Sequence, residues 1–269
     1  MALRSQSRLE DDNGEMPVHL VMYGSNNMCL RLYLTYARNE DKELACINKH
    51  GETLLHYAAA DAREDIISYI LSANSYDAYV NARNVNGWTP LICALPSIDE
   101  MFAIEKKTAL KGLLVGRMLL DHRADPSIAT DEGLTYLHCL AMYTCADGSA
   151  SADIAVLAEE FISRGILPDT PAAVLAHDWP LGSRLLHFLE NMSQDAVIRG
   201  RTPLHCAAEV GAVSMAKALL KHGADVFAID ESGSTPLKCV SQSLKLHGMP
   251  KLKGEIDESV VRGSRSGKV

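Results

Sequence analysis

The chain has 269 residues, a formal net charge of −8, 47% apolar residues and 6% aromatic residues. That apolar content can bury a core and excludes a chain disordered throughout. Residues 251–269 carry a net charge of +2, so the body before them stands at −10 and repels phosphate backbones, which argues against nucleic-acid binding.

Cys29, Cys46, Cys93, Cys139, Cys145, Cys206 and Cys239 contain no CxxC pair, and they read as reduced thiols of a cytoplasmic or nuclear protein. Residues 1–15 are polar and lack the apolar stretch of a signal peptide, and they are expected as a flexible tail. No run of about 18 apolar residues predicts a membrane span.

Repeated phrases begin directly after that tail. Met16-Pro17-Val18-His19 opens a degenerate first unit, with helices expected over 17–22 and 28–36. Gly51-Glu52-Thr53-Leu54-Leu55-His56-Tyr57-Ala58-Ala59 opens the second. Gly87-Trp88-Thr89-Pro90-Leu91-Ile92-Cys93-Ala94 keeps the frame but replaces the histidine. Gly133-Leu134-Thr135-Tyr136-Leu137-His138-Cys139-Leu140-Ala141 keeps the histidine and loses the proline. Thr170-Pro171 predicts a further unit, with its second helix over 183–191. Gly200-Arg201-Thr202-Pro203-Leu204-His205-Cys206-Ala207-Ala208 opens the next, and Thr235-Pro236-Leu237 begins a partial cap. Residues 248–269 are expected as a second flexible tail.

The threonines recur at separations of 36, 46, 35, 32 and 33 residues. A closing phrase recurs too: Leu219-Leu220-Lys221-His222-Gly223-Ala224-Asp225 matches Leu119-Leu120-Asp121-His122-Arg123-Ala124-Asp125. Each part has a physical reason. Threonine caps a helix, proline fits its first position, the alanines allow close packing, and glycine takes the left-handed conformation past the helix end. Arg123 stands where that glycine is expected, which predicts strain or an altered cap.

These phrases resemble the ankyrin repeat, with its T-P-L-H-x-A start, L-L-x-x-G-A-D end and period of about 33 residues. The resemblance covers 16–247 and implies an all-α solenoid of stacked helix-turn-helix units with short projecting turns. It also implies that the histidine ties each turn to the adjacent repeat. Two departures stand out: about 13 extra residues within 96–112, and a small, polar excess at 146–152 that reads as a loop.

His138-Cys139 and His205-Cys206 do not read as catalytic pairs. Neighbours on a helix point about 100° apart, and both histidines fall on the structural position. No Cys or His spacing suits a metal, and no cofactor motif is present, so the expectation is a non-enzymatic protein with no catalytic residues and no cofactor.

By resemblance, turn tips and the concave face of the first helices would contact a protein partner. The candidate tip residues are Lys49, His50, Glu52, Val85, Asn86, Trp88, Leu134, Arg199 and Arg201, and the concave candidates are Tyr143 and Glu209. Trp88 leads, because a tryptophan on a projecting turn would expose a large apolar surface. The implied function is protein recognition by a monomeric scaffold, adaptor or inhibitor in the cytoplasm. The alternatives are a secreted effector working in a host cytosol, with an enzymatic site at 96–200 involving Cys145, His177 or His187, and a regulatory subunit of an enzyme.

Overall fold

A computed structural model describes residues 11, 14–21, 28–36, 45–72, 79–95, 106–142, 151–175 and 197–240. The chain divides into two compact units, one of residues 1–94 with 114–125 and the other of 95–113 with 126–269.

The first unit contains α1 (Pro17–Val21), α2 (Met28–Tyr36), α3 (Leu54–Ala60), α4 (Glu64–Leu71) and α5 (Pro90–Cys93). Helix α6 (Lys106–Asp121) runs into it from Leu114 onward. Helices α1 and α2 pack together, as do α3 and α4, and α3 also packs on α5. Leu54, Leu55, Ile66, Ile67 and Ile70 form the buried centre of the α3–α4 pair. The expected extra residues at 96–112 are helical from Lys106, so part of that excess lengthens a second helix.

Arg123 has φ +67, the left-handed conformation expected of a glycine there. Asn81 brackets it: its Nδ2 donates to the Arg123 carbonyl (3.1 Å) and its Oδ1 accepts the Asp125 N–H (2.7 Å). These bonds offset part of the roughly 1–2 kcal/mol that the conformation costs a residue with a Cβ.

The second unit contains α7 (Tyr136–Met142), α8 (Ser151–Ser163), β1 (Ala172–Leu175), β2 (Val197–Arg201), α9 (Pro203–Val210) and α10 (Val213–Lys221), and residues 236–240 are helical. Helix α7 packs on α9, and α8 packs on α10. The pair beginning at Thr135 therefore lies directly against the pair beginning at Thr202. Strands β1 and β2 are antiparallel, with Ala172 opposite Arg201 and Val174 opposite Ile198.

One expectation is corrected. No helix begins at Thr170: its hydroxyl donates to the Leu167 carbonyl (3.2 Å), and β1 starts two residues later. The helix expected over 183–191 lies outside the described residues. Of the expected tail, residues 11, 14 and 15 are described and bond one another. The Asp11 N–H donates to Glu15 O (3.0 Å), the Gly14 N–H to Asp11 O (2.9 Å), and the Glu15 N–H to Asp11 Oδ1 (2.8 Å).

Candidate functional site

The turns, or fingers, share one construction. In the finger at 48–52, the Asn48 N–H donates to Glu52 O (3.1 Å), and Asn48 Oδ1 accepts the N–H groups of His50 and Glu52 (2.9 Å each). Asn84 makes the same bonds to Asn86 and Trp88, and Asp230 makes them to Ser232 and Ser234. Thr130 does the work more sparingly, its Oγ1 accepting only the Leu134 N–H among these (3.1 Å). A short polar side chain that bonds its own backbone two and four residues on is the physical reason Asn, Asp and Thr open these turns.

Successive fingers are laced by backbone bonds. The Val85 N–H reaches His50 O (2.8 Å), the Ala173 N–H reaches Glu132 O (2.8 Å), and the Glu231 N–H reaches Arg199 O (3.0 Å). The finger glycines permit this approach. Gly133 has φ +86, and a Cβ there would meet the Pro171 carbonyl oxygen at 3.0 Å.

Each repeat histidine then fixes the fingers to the helices. His56 Nδ1 accepts the Thr53 N–H (3.0 Å), closing the N-terminus of α3 in the way a Glu or Gln closes a capping box. Its Nε2 lies 3.0 Å from Trp88 O. Since Nδ1 accepts, the proton sits on Nε2 and is donated to that carbonyl. His138 repeats the arrangement between Thr135 and Arg201 O, and His205 between Thr202 and Ser234 O. His19 Nδ1 likewise accepts the Met16 N–H (3.0 Å). At the Thr89 repeat, where isoleucine replaces the histidine, Thr89 Oγ1 accepts the Ile92 N–H directly (3.4 Å).

Burial disfavours charge on these rings, and their carbonyl bonds only partly oppose it. His56 and His138 are lowered to about 4, and His205 is lowered too. The buried thiols at the next position along, after His138, Lys238 and His205, move the other way for the same reason. Cys139 is raised to about 12, Cys239 to about 11, and Cys206 is raised as well. A buried thiol held protonated beside a neutral, fully engaged imidazole is a packing group, not a nucleophile.

The candidate partner residues separate by register. Lys49, Val85 and Arg199 are exposed, and His50 and Asn86 are half-buried. Glu52, Trp88, Leu134 and Arg201 are buried, which corrects the expectation that they project. All four occupy the position directly before the capping threonine, whose carbonyl at Trp88 and Arg201 receives the histidine bond. Trp88 is only 6% exposed, so it offers no large apolar tip. Tyr143 lies outside the described residues, as do Cys145, His177 and His187.

Arg201 is held from two sides, pairing with Glu209 on α9 and with Asp230 of the next finger (3.3 Å). Burial opposes its charge most strongly, but the surrounding anionic groups together, Glu209 foremost and Asp230 among them, outweigh it and raise its pKa. Burial likewise pushes Asp230 upward, yet the bonds from Ser232 and Ser234 and the Arg201 charge bring it below its ordinary value. Glu209 is thus half-buried and already paired.

In the first unit, Asn48 Nδ2 bonds both Glu52 Oε2 (2.9 Å) and the Tyr57 hydroxyl oxygen (2.8 Å), and that hydroxyl donates to Glu15 Oε1 (2.8 Å). Burial raises the Glu52 carboxyl, against the lowering bond from Asn48.

Exposed apolar residues that the motif reading passed over are Ile47 and Ile229, which occupy one register directly before Asn48 and Asp230, together with Phe227. Their shared register was the available signal. Among the described residues, no group of three His, Cys, Asp or Glu side chains could hold a metal ion, and no helix is long and apolar enough to cross a membrane.

Threonine-capped helix pairs joined by histidine-to-carbonyl bonds define a helical repeat protein. Family models agree: residues 55–96 match the model described as ankyrin repeats (many copies), and residues 199–231 match the ankyrin repeat model. The chain carries ankyrin repeats. It is 27% identical over 261 residues to a Danio rerio protein that carries the name palmitoyltransferase ZDHHC13, a match covering 94% of this chain and 37% of that protein. It is 23% identical over 192 residues to the ankyrin repeat protein FPV230 of fowlpox virus, covering 70% of this chain and 91% of that one. The chain thus spans little more than a third of the length of the Danio rerio relative. Ankyrin repeats are non-enzymatic modules that bind other proteins.

Proposed function

We propose that the repeats stack as an ankyrin solenoid within each unit and that their exposed finger tips recognise a partner protein, in the manner of a scaffold, adaptor or inhibitor acting as a monomer in the cytoplasm. The observation that carries this reading is the division of each finger into an inner and an outer part. The residue before each capping threonine is buried, while Lys49, Val85 and Glu231 face solvent on backbones fixed by the Asx-type turns and Arg199 faces solvent on β2. Such a frame loses little ordering entropy on binding, so varied side chains at fixed tips can set specificity.

The test is capture of partners from lysate with the parent chain and with Lys49→Glu, Val85→Asp and Arg199→Glu combined. All three side chains are exposed, so the helical circular dichroism should not change. Loss of a specifically held protein supports recognition by the tips, and identical partner sets from both chains refute it.

A second reading draws on the Danio rerio relative. Nearly the whole of this chain aligns with about a third of a protein named as a palmitoyltransferase. On this reading the repeats serve an acyl-transfer enzyme by holding its protein substrate. The buried, protonated thiols of Cys139 and Cys206 favour a holding role over an acyl-carrying one. Acylation of a protein by the purified chain alone would overturn that division of labour.

A further inference from the structure

The finger at 84–88 reads Asn84-Val85-Asn86-Gly87-Trp88, so Asn86 stands directly before a glycine. In this order the glycine amide nitrogen can reach the asparagine side-chain carbonyl carbon, because no Cβ on the following residue hinders the approach. The other described asparagines lack that arrangement: Asn48, Asn81 and Asn84 precede Lys49, Ala82 and Val85. Their carboxamides are also engaged. Asn48 bonds Glu52 and Tyr57, Asn81 spans Arg123 O and the Asp125 N–H, and Asn84 Oδ1 holds the N–H groups of Asn86 and Trp88. Asn86 is half-buried, and the bond it makes is a backbone one, its N–H donating to Asn84 Oδ1 (3.1 Å). Among the described residues it is the asparagine that joins a following glycine to a carboxamide no hydrogen bond holds.

The closed turn holds the nucleophile in check. The Gly87 N–H donates to Asn84 O (2.9 Å), with Gly87 at φ +75. Attack requires the Gly87 nitrogen to shed its proton and swing toward Asn86 Cγ, which that bond opposes. The bonds from the Asn86 and Trp88 N–H groups to Asn84 Oδ1 (3.1 and 2.9 Å) fix the same stretch of backbone. Reaction therefore waits on local opening of the finger, and exposed turns open far more readily than packed helices.

We propose that Asn86 is a self-modifying site at the finger tip, converted to a carboxylate by its own backbone whenever the turn opens. The Gly87 nitrogen bonds to Asn86 Cγ and closes a succinimide ring, while the side-chain amide nitrogen takes a proton and leaves as ammonia. Water then opens the ring. Breaking the new bond to Cγ leaves aspartate, and breaking the original bond to the main-chain carbonyl carbon leaves isoaspartate. Either product sets a carboxylate beside exposed Val85. Isoaspartate also routes the backbone through the side chain and adds a methylene between Asn84 and Trp88. That displaces the N–H groups held by Asn84 Oδ1 and the Trp88 carbonyl that receives His56 Nε2. The finger thus changes charge and shape with age and without an enzyme. This chemistry needs no partner, so it stands or falls separately from recognition by the tips.

The test incubates the full chain in oxygen-labelled water at neutral and mildly alkaline pH, then maps the label by peptide mass spectrometry. Mapping separates residue 86 from the other asparagine–glycine pair, Asn13-Gly14. Label enters at residue 86, faster at the higher pH because the attacking nitrogen must lose its proton, and much more slowly at Asn48, Asn81 and Asn84. Asn86→Gln stops it with the helical spectrum unchanged, since the larger ring closes far more slowly. Asn84→Ala removes both Oδ1 bonds and speeds conversion severalfold. Asn84→Asp keeps the acceptor oxygen, as Asp230 does in its own finger, and leaves the rate near the parent's. Urea below the unfolding transition speeds conversion in the parent, a readout that does not depend on how well Asn84→Ala folds. A parent chain whose residue 86 gains no label, or gains it no faster than Asn48, overturns the assignment. So does a rate that neither Asn84→Ala nor urea increases.

Discussion

The Nε2 of His138 donates to the backbone carbonyl of Arg201, 63 residues further along the chain. His56 and His205 make the same bond to residues 32 and 29 positions ahead. A repeat histidine bonds the repeat that lies against its own, so the repeat beginning at Thr135 has the one beginning at Thr202 as its neighbour. Between Thr135 and Thr202 the described chain holds α7, α8 and the antiparallel strands β1 and β2.

That relationship predicts the outcome of an excision. Replacing residues 176–196 with Asn-Gly would join β1 to β2 by a two-residue turn suited to antiparallel strands. The His138–Arg201 bond, the α7–α9 packing and the α8–α10 packing stay as they are. Closing a shorter connection also costs less chain entropy, by about 2 kcal/mol for a flexible loop. The expected result is an unchanged helical spectrum and a Tm equal to or above the parent's. A fall in Tm of many degrees would mean that 176–196 belongs to the stacked core.

Why the sequence misled at this point is a matter of arithmetic. Thr135 and Thr202 are 67 residues apart, which is close to two ankyrin periods, and Thr170-Pro171 sits near the middle. At that point the described chain forms the strand β1 where a helix was expected. Elsewhere the motif carried real information. The Thr–His pairs mark the joints because one imidazole satisfies a helix N-terminus and a neighbouring carbonyl together, and few other side chains can do both. The inward-facing register was less legible. Glu52, Trp88, Leu134 and Arg201 share a position but no chemistry; the backbones of the first three are bonded in the finger turn and Arg201 ends β2, and all four are buried.

His138→Ala should cost about 3 kcal/mol or more. It leaves the Thr135 N–H and the Arg201 carbonyl buried without partners, each worth roughly 1–3 kcal/mol, and opens a cavity between repeats. Urea unfolding would measure this, with Val85→Ala as the control. Val85 is exposed, so it should change stability by less than about 0.5 kcal/mol. Equal costs for the two would deny the histidine its joining role.

The same histidines set a pH dependence whose sign can be worked out. Folded, His56 and His138 titrate at about 4, against 6.5 in the unfolded chain. Between those values the unfolded chain binds the extra proton. Stability is therefore complete above the unfolded value and declines as pH falls toward the folded one, by about 2 kcal/mol per histidine at about pH 5. His19 and His205 are lowered as well and add to the decline. Glu52 and Asp169 are raised by burial, so the folded chain holds their protons more tightly, and they offset part of it. Urea midpoints measured at neutral and mildly acid pH should drop accordingly, and the drop should be shallower in His138→Asn. A midpoint independent of pH would contradict the neutral, buried state of these rings.

Arg199 and Arg201 separate the tip of a finger from its base, although only Gly200 lies between them. Arg201→Ala would leave Asp230, whose side chain is fully buried, without its cation, and would strand Glu209 beside it. Removing one partner of a buried ion pair costs about 3–5 kcal/mol, because the remaining charge stays out of water. Replacing Arg201 with methionine and Asp230 with asparagine together should recover much of that loss. The amide oxygen of asparagine can still accept the Ser232 and Ser234 N–H groups, and no unpaired charge remains in the Arg201–Asp230 contact. Arg199→Ala removes only an exposed side chain, while its carbonyl still accepts the Glu231 N–H, so stability should shift by less than about 0.5 kcal/mol. Thermal melts of the four chains would check the order. If Arg199→Ala proved as damaging as Arg201→Ala, the inner and outer halves of the finger would not be distinct. The exposed tip would then no longer be free to vary for recognition while the base holds the fold.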